Sequence, residues 1–447
     1  MPSNCDIHRD FKAVDPLPLP GDLHQRLQDC FEVHQARQKR RQMRLLWLLV
    51  GPGLLAMLGE NDAPSMLSYA GTGSQFGINF FLPFILLTFV LAVITQEMTV
   101  RLGALTQSGL AELIYRRFGR KWGHLAMGDL LLTNFLTLIT EFVGIVAGAR
   151  YFHIPSALAV GGGMALVMAA PLSHRYFAWE RRVLLIATFN LVFVPIALMS
   201  HPSWPVLTHA FISVSPQGGW SKHMILLALS DIGATITPWM LYFQQASIRD
   251  KGLMEPDIRH GRWDTVLGAG LASLAAVACL VATSVLFSHH MNTRQFNGAQ
   301  FAEALTPYIG RIGGSLFALG ILEAGLVAAT TISTSSAYVW GESFRQAASL
   351  NRRWSEALGF YAILAGMTLA AGLVVLIPGF PLEMIVIFVN IIAVLTMPPI
   401  FLFLLILVND RETMGSYRNT WWLNVLGIMV GGFISLAGVI YAVATML

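Results

Sequence analysis

The chain has 447 residues, of which 55 % are hydrophobic and 12 % charged, with a formal net charge of +4. Soluble globular proteins carry about 25 % charged residues, and the deficit here runs along the whole chain, which places most of it in lipid. The three cysteines, Cys5, Cys30 and Cys279, are odd in number and far apart, so neither a disulfide framework nor a CxxC metal site is available.

Residues 1–44 are polar, with prolines at 16, 18 and 20, and read as a cytoplasmic segment with a helix near 22–44, not as a cleavable signal. Apolar runs of the length a bilayer needs, about 20 residues, follow at 45–70, 79–102, 124–149, 156–172, 183–201, 223–246, 264–288, 309–342, 356–377, 382–408 and 420–445. The fourth is short and Gly-rich. The eighth is longer than a bilayer requires and is expected to end in a cytoplasmic extension. Residues 45–447 are expected to form one transmembrane domain: a first repeat over about 45–201, a second over about 223–408, and an extra span at about 420–445.

Basic residues orient these eleven spans. If Arg37, Lys39, Arg40, Arg41 and Arg44 lie inside, the inner loops hold 17 Lys and Arg and the outer loops 4 (Arg150, Lys222, Arg294 and Arg311). By the positive-inside rule the N-terminus is cytoplasmic and the C-terminus extracytoplasmic, in a multi-pass protein of a plasma (bacterial inner) membrane. The basic clusters are then topology determinants, not a nucleic-acid surface.

Two spans are interrupted. Span one carries Gly59-Glu60-Asn61-Asp62-Ala63-Pro64-Ser65 in mid-membrane. Pro64 removes a backbone donor and clashes with the preceding turn, and Asp62 at a helix centre costs about 3 kcal/mol on insertion scales. Span six carries Gly233-Ala234-Thr235-Ile236-Thr237-Pro238. Either break alone could be a tolerated proline kink. Matched breaks in the first and sixth spans, however, fit two inverted five-span repeats, the best sequence pointer to a transporter's substrate site. Freed backbone carbonyls, the Asp62 carboxylate and the hydroxyls of Ser65, Thr235 and Thr237 are hard oxygen ligands, suited to Mg²⁺ or Mn²⁺.

At these residues the sequence resembles the NRAMP family of divalent metal transporters, most closely its branch of NRAMP-related magnesium transporters. The resemblance covers about 45–445. It rests on Gly51-Pro52-Gly53, Gly73-Ser74-Gln75-Phe76-Gly77, Arg101-Leu102-Gly103 with Thr106 and Leu110-Ala111-Glu112, Gly233 to Trp239, and Asp410-Arg411 with Met414-Gly415. It implies an all-α membrane protein of the leucine-transporter fold, with a 5+5 inverted repeat and unwound first and sixth spans. It also implies a metal site at Asp62, Ser65, Ala234 (through its carbonyl) and Thr237.

The departures matter as much. The family's Asp-Pro-Gly-Asn becomes Asp62-Ala63-Pro64-Ser65, and its Met-Pro-His becomes Thr237-Pro238-Trp239. Asn390 and Thr396 fall where span ten of the family has polar residues. Losing the thioether removes the group that favours soft transition metals, and a short hydroxyl leaves room for a partly hydrated Mg²⁺. In the family, proton flow involves the span-six His and an acidic pair in span three. Here the His is Trp239 and, with Glu141 retained, its partner position is Leu138, so entry without obligatory proton coupling is expected.

Glu60, Asn61, Thr235, Glu141, Asp231, Asn390 and Thr396 are the candidates for the ion path. Glu60 and Asp231 flank the breaks. Each intramembrane carboxylate, Glu323 included, has an internal packing role as its alternative; Glu97 stands four residues from Arg101, which suits a structural pair. His289-His290 has no third ligand nearby, Met240 could supply a sulfur, and Gly161-Gly162-Gly163 and Gly431-Gly432 suit close helix packing. With no HExxH, GxSxG or P-loop, an enzyme is not expected, nor is a cofactor beyond the transported ion. Oligomeric state is not legible. The remaining alternatives are a proton-coupled Mn²⁺/Fe²⁺ importer and a cation-coupled amino-acid carrier, whose substrate carboxylate Asp62 would repel.

Overall fold

The computed structural model describes residues 50–213, 215–217, 219–379 and 382–446. The expected helix near 22–44 lies outside them, as do the basic residues that precede span one. Every regular element among the described residues is helical. Lipid imposes this, because a helix satisfies its backbone hydrogen bonds internally.

In chain order the helices are α1 (Pro52–Glu60), α2 (Ala63–Phe76), α3 (Phe81–Thr106), α4 (Leu110–Phe118), α5 (Arg120–Tyr151), α6 (Ser156–Ala169), α7 (Tyr176–Ala187), α8 (Phe193–Met199) and α9 (Trp204–Ile212). There follow α10 (Lys222–Gly233), α11 (Pro238–Lys251), α12 (Ile258–Ser288), α13 (Gly298–Phe344), α14 (Leu358–Val375), α15 (Leu382–Asn409), α16 (Arg411–Met414) and α17 (Trp421–Met446). Ten stretches among the described residues are long and apolar enough to cross a bilayer, α10 with α11 counting as one and α7 with α8 as another. The pair α1 and α2, each too short alone, makes the eleventh.

Two boundaries differ from the apolar pattern. Span five begins at Tyr176 rather than 183, because Trp179 and Glu180 are buried by neighbouring helices instead of lipid. Span eight begins at Gly298, and its direction breaks at Gly310 (φ 75°, ψ 169°), a left-handed backbone that glycine adopts without steric cost. The rod beyond Gly310 runs to Phe344 and is about 50 Å long. The preceding turns, polar enough to escape a hydropathy reading, fold over the end of the bundle.

α13 lies along α5 and α12 lies along α1, α2 and α3, so both halves of span one are enclosed by protein. Tyr69, Phe142, Trp179, Trp239, Phe243 and Tyr338 fill this interior. The rim is apolar and open: Leu158, Leu166, Leu185 and Leu436 are more than half exposed, as lipid-facing side chains should be. Two glycine groups fit the close-packing expectation only in part. Gly161, Gly162 and Gly432 face open space, whereas Gly163 lies against Phe142 and Ile145, and Gly431 against Phe401.

Candidate functional site

Both broken spans restart in the same way. α1 ends at Glu60, and α2 begins after Asp62, whose Oδ1 accepts the Ser65 N–H at 2.8 Å as an N-cap, with Pro64 in the first turn. α10 ends at Gly233, and α11 begins at Pro238 with Thr237 as its extended cap residue. Gly233 is required by packing: a Cβ there would run into the backbone carbonyl of Asn390 on α15.

The breaks touch. The Thr237 hydroxyl donates to Glu60 Oε2 at 2.8 Å. The Tyr69 hydroxyl, two turns along α2 from Asp62, donates to the Ala234 carbonyl at 3.1 Å. From α5, Glu141 Oε2 accepts the Ala63 N–H at 3.1 Å, and its carboxyl group contacts that of Asp62. Asp62, Ser65, Ala234, Thr237, Glu60 and Glu141 are thus brought together, all at most 5 % exposed.

Two oxygens of this cluster, Glu60 Oε1 and Glu141 Oε1, have no hydrogen-bond partner. The charges acting on Glu60 and Glu141 are those of neighbouring carboxylates. Like charges crowded in low dielectric repel strongly, a repulsion that protons or a cation between them would relieve. Among the described residues, no three His, Cys, Asp or Glu side chains converge tightly enough to hold a metal alone. An ion here therefore needs carbonyls, hydroxyls and water besides the carboxylates.

The other candidates separate into three groups. Asp231 and Asn390 stand beside the breaks: Asp231 accepts hydroxyls from Ser68 (2.6 Å) and Thr72 (3.0 Å), and Asn390 donates to Ser230 at 3.2 Å. Asn61 and Thr235 are at the breaks, and each donates to the scaffold. The Asn61 amide donates to Asn190 Oδ1 and to the Ala272 carbonyl, and Thr235 bonds the carbonyls of its own helix. Asn61 Oδ1 is buried with no hydrogen-bond partner, so its place on the ion path, like that of Thr235, stays a proposal. Thr396 bonds Ala393 and lines a groove with His124 and Asp129, on a face of α15 turned towards α5.

Sequence reasoning missed Tyr69, Ser68, Thr72 and Asn190. Tyr69 was findable, since Asp62, Ser65 and Tyr69 share one helical face. Glu97 pairs with Arg101, as its spacing suggests, and also with Arg262 of α12. Glu323 is buried beside Asn190 with neither oxygen hydrogen-bonded. His289 and His290 are exposed. Met240 Sδ accepts the Thr237 N–H at 3.4 Å, which engages the sulfur with backbone.

A cavity of about 90 Å³ reaches Pro64, Ser68 and Ser230 from the end where Phe296 and Asn297 lie. At the opposite end, Asp264 accepts the N–H groups of Gly51, Gly53 and Leu54. Lys251 bridges Glu180 (2.6 Å) and the Val50 carbonyl (2.8 Å), and Arg249 holds Glu342 (3.1 Å) and the Ala348 carbonyl (2.6 Å).

Residues 53–444 match the Natural resistance-associated macrophage protein-like (Nramp) family. The chain belongs to that family. Among Nramp relatives it is 26 % identical over 415 residues to the Divalent metal cation transporter MntH 1 of Pseudomonas aeruginosa, covering 88 % of this chain and 91 % of that protein. It is 25 % identical over 413 residues to the Divalent metal cation transporter MntH of Listeria welshimeri, covering 89 % of each. In structure it is similar to a manganese transporter of Eremococcus coleocola, with a TM-score of 0.70 at 21 % identity, over 89 % of this chain and 86 % of that one. It is also similar to MhsT bound to L-phenylalanine, with a TM-score of 0.56 at 16 % identity, over 88 % and 97 %. This Nramp chain thus has the leucine-transporter-like fold, with two inverted five-span repeats and unwound first and sixth spans.

Proposed function

We propose that this protein transports divalent cations across a membrane, Mg²⁺ foremost and Mn²⁺ as well, by alternating access past the two breaks and without obligatory proton coupling. The observation that carries this reading is the all-oxygen set where the breaks meet: carboxylates from Asp62 and Glu60, the Thr237 hydroxyl and the Ala234 carbonyl. Hard cations take such ligands, and Mg²⁺ keeps several of its waters. The names of the relatives, divalent metal cation and manganese transporters, agree with the charge class. The sequence departures at Ser65, Thr237 and Trp239 support the Mg²⁺ branch.

In this mechanism the ion enters through the cavity beside Ser68 and Ser230, displaces the Thr237–Glu60 and Tyr69–Ala234 hydrogen bonds, and is held until the seal around Lys251 opens. The 17-to-4 distribution of basic loop residues supports a cytoplasmic seal and an extracytoplasmic cavity. Uncoupled entry would be driven by the membrane potential, worth about 2.3 kcal/mol per charge per 100 mV. Neither Trp239 nor Leu138 titrates, and both are buried.

Flux of Mg²⁺ and Mn²⁺ into proteoliposomes tests the reading; transport of Cd²⁺ or Fe²⁺ with no Mg²⁺ would refute it. One observation favours a second reading, a proton-coupled Mn²⁺ importer: the contact between the carboxyl groups of Asp62 and Glu141 offers a place to exchange a proton for the ion. Lumenal acidification in step with ion entry would select it.

A further inference from the structure

The basic end of the bundle carries an open groove of about 540 Å³, remote from the breaks. Its polar wall holds Arg117, at the end of α4, and Arg411, in the turn after α15. Asp410, next to Arg411 in sequence, lines the same wall. Arg117 Nε is 3.9 Å from Asp410 Oδ2, the long limit of an ion pair, and Asp410 also accepts the Thr413 hydroxyl at 2.7 Å. Arg411 is exposed and has no ion-pair partner among the described residues. One net positive charge is left over, the complement of one phosphodiester.

The floor is neutral and rigid: Asn409 and Asn424 exchange two amide hydrogen bonds of 2.8 Å, tying α15 to α17. The remaining wall is apolar. Ile406 and Ile428 are 40 % and 66 % exposed on the bundle's outer surface. Exposed tryptophans stand at this level: Trp122, whose ring meets Phe403 on α15, and the edge-to-face pair Trp421 and Trp422 at the start of α17. Exposed Trp marks the headgroup depth of a bilayer. A site with arginines at headgroup level and isoleucines below it matches a whole lipid better than a free anion.

We propose that this groove binds one anionic phospholipid, its phosphodiester held by Arg117 and Arg411 and its acyl chains laid along Ile406 and Ile428. The lipid would clamp α4, α15 and α17 together, joining the connector between spans two and three to the turn between spans ten and eleven. The assignment is independent of which ion the protein carries.

The test uses delipidated full-length protein in detergent, titrated with phosphatidylglycerol, phosphatidylcholine or inorganic phosphate, with lipid adducts read by native mass spectrometry and stability by thermal melting. Phosphatidylglycerol should bind about tenfold more tightly than phosphatidylcholine, and Arg117→Gln/Arg411→Gln should remove most of that preference. Arg311→Gln, at the other end of the bundle, should leave it unchanged. Asp410→Asn should strengthen it, a gain that no folding defect would imitate. Equal binding of the two lipids by the native protein would overturn the proposal, as would a preference that survives the double substitution. Stabilisation by millimolar inorganic phosphate as large as that by phosphatidylglycerol would overturn it too, by making the site one for free anions.

Discussion

The Thr237 hydroxyl donates to the Glu60 carboxylate at 2.8 Å, joining the last residue of α1 to the cap of α11 across 177 positions of sequence. Two groups suited to ligating a hard cation therefore satisfy each other. In the proposed mechanism an arriving ion breaks this bond, and Thr237 would set both selectivity and closure. Thr237→Met replaces the hydroxyl by a thioether and frees Glu60. The Cd²⁺-to-Mg²⁺ uptake ratio of this variant in proteoliposomes should rise about tenfold; an unchanged ratio would show that Thr237 does not face the ion.

Asp62 has two duties that substitution can separate. As the N-cap of α2 it contributes about 1 kcal/mol, and in the proposed site its carboxylate supplies charge to the ion. Asp62→Asn keeps a cap acceptor for the Ser65 N–H, so its melting temperature should stay near that of the native protein while Mg²⁺ flux is lost. Asp62→Ala should lose both. If Asp62→Asn carries Mg²⁺ at the native rate, the charge is dispensable and the site lies elsewhere.

Glu141 distinguishes the coupled and uncoupled readings. Glu141→Gln retains an oxygen for the Ala63 N–H but removes a titratable group beside Asp62. Uncoupled transport predicts Mg²⁺ flux within a few-fold of native and no acidification of the lumen, measured with an entrapped pH dye. Collapse of flux together with a native proton signal would favour coupling.

The seal around α1 rests on a buried ion pair, with Lys251 and Glu180 both nearly inaccessible. Removing one partner strands the other, at a cost of about 3–5 kcal/mol. Lys251→Met should therefore lower thermal stability sharply, and adding Glu180→Leu should recover much of the loss. Melting of the two single variants and the double variant gives the coupling directly; additive losses would argue against a coupled pair.

At Gly233, a side chain would meet the Asn390 carbonyl. Gly233→Ala should push α15 away from α10, costing about 1–3 kcal/mol. It should also impair flux out of proportion to expression, as measured by uptake per folded molecule.

Much of this molecule was legible one residue at a time. Composition placed the chain in lipid, the apolar runs gave eleven spans, and Pro64 and Pro238 marked both restarts, because proline acts on its own helix whatever surrounds it. Asp62, Ser65, Ala234 and Thr237 could be nominated since each lies at an interruption. Asn61, Thr235 and Thr396 could not be sorted that way. Whether a polar side chain faces an ion, a neighbouring amide or its own backbone depends on partners such as Asn190 and Ala272, more than a hundred residues away. Sequence alone thus determined where the helices break and what chemistry the breaks expose, both being local consequences of residue type. Only the tertiary structure decided that Glu60 meets Thr237, that Tyr69 covers the Ala234 carbonyl and that Lys251 seals one end, because the packing of distant helices selects those contacts.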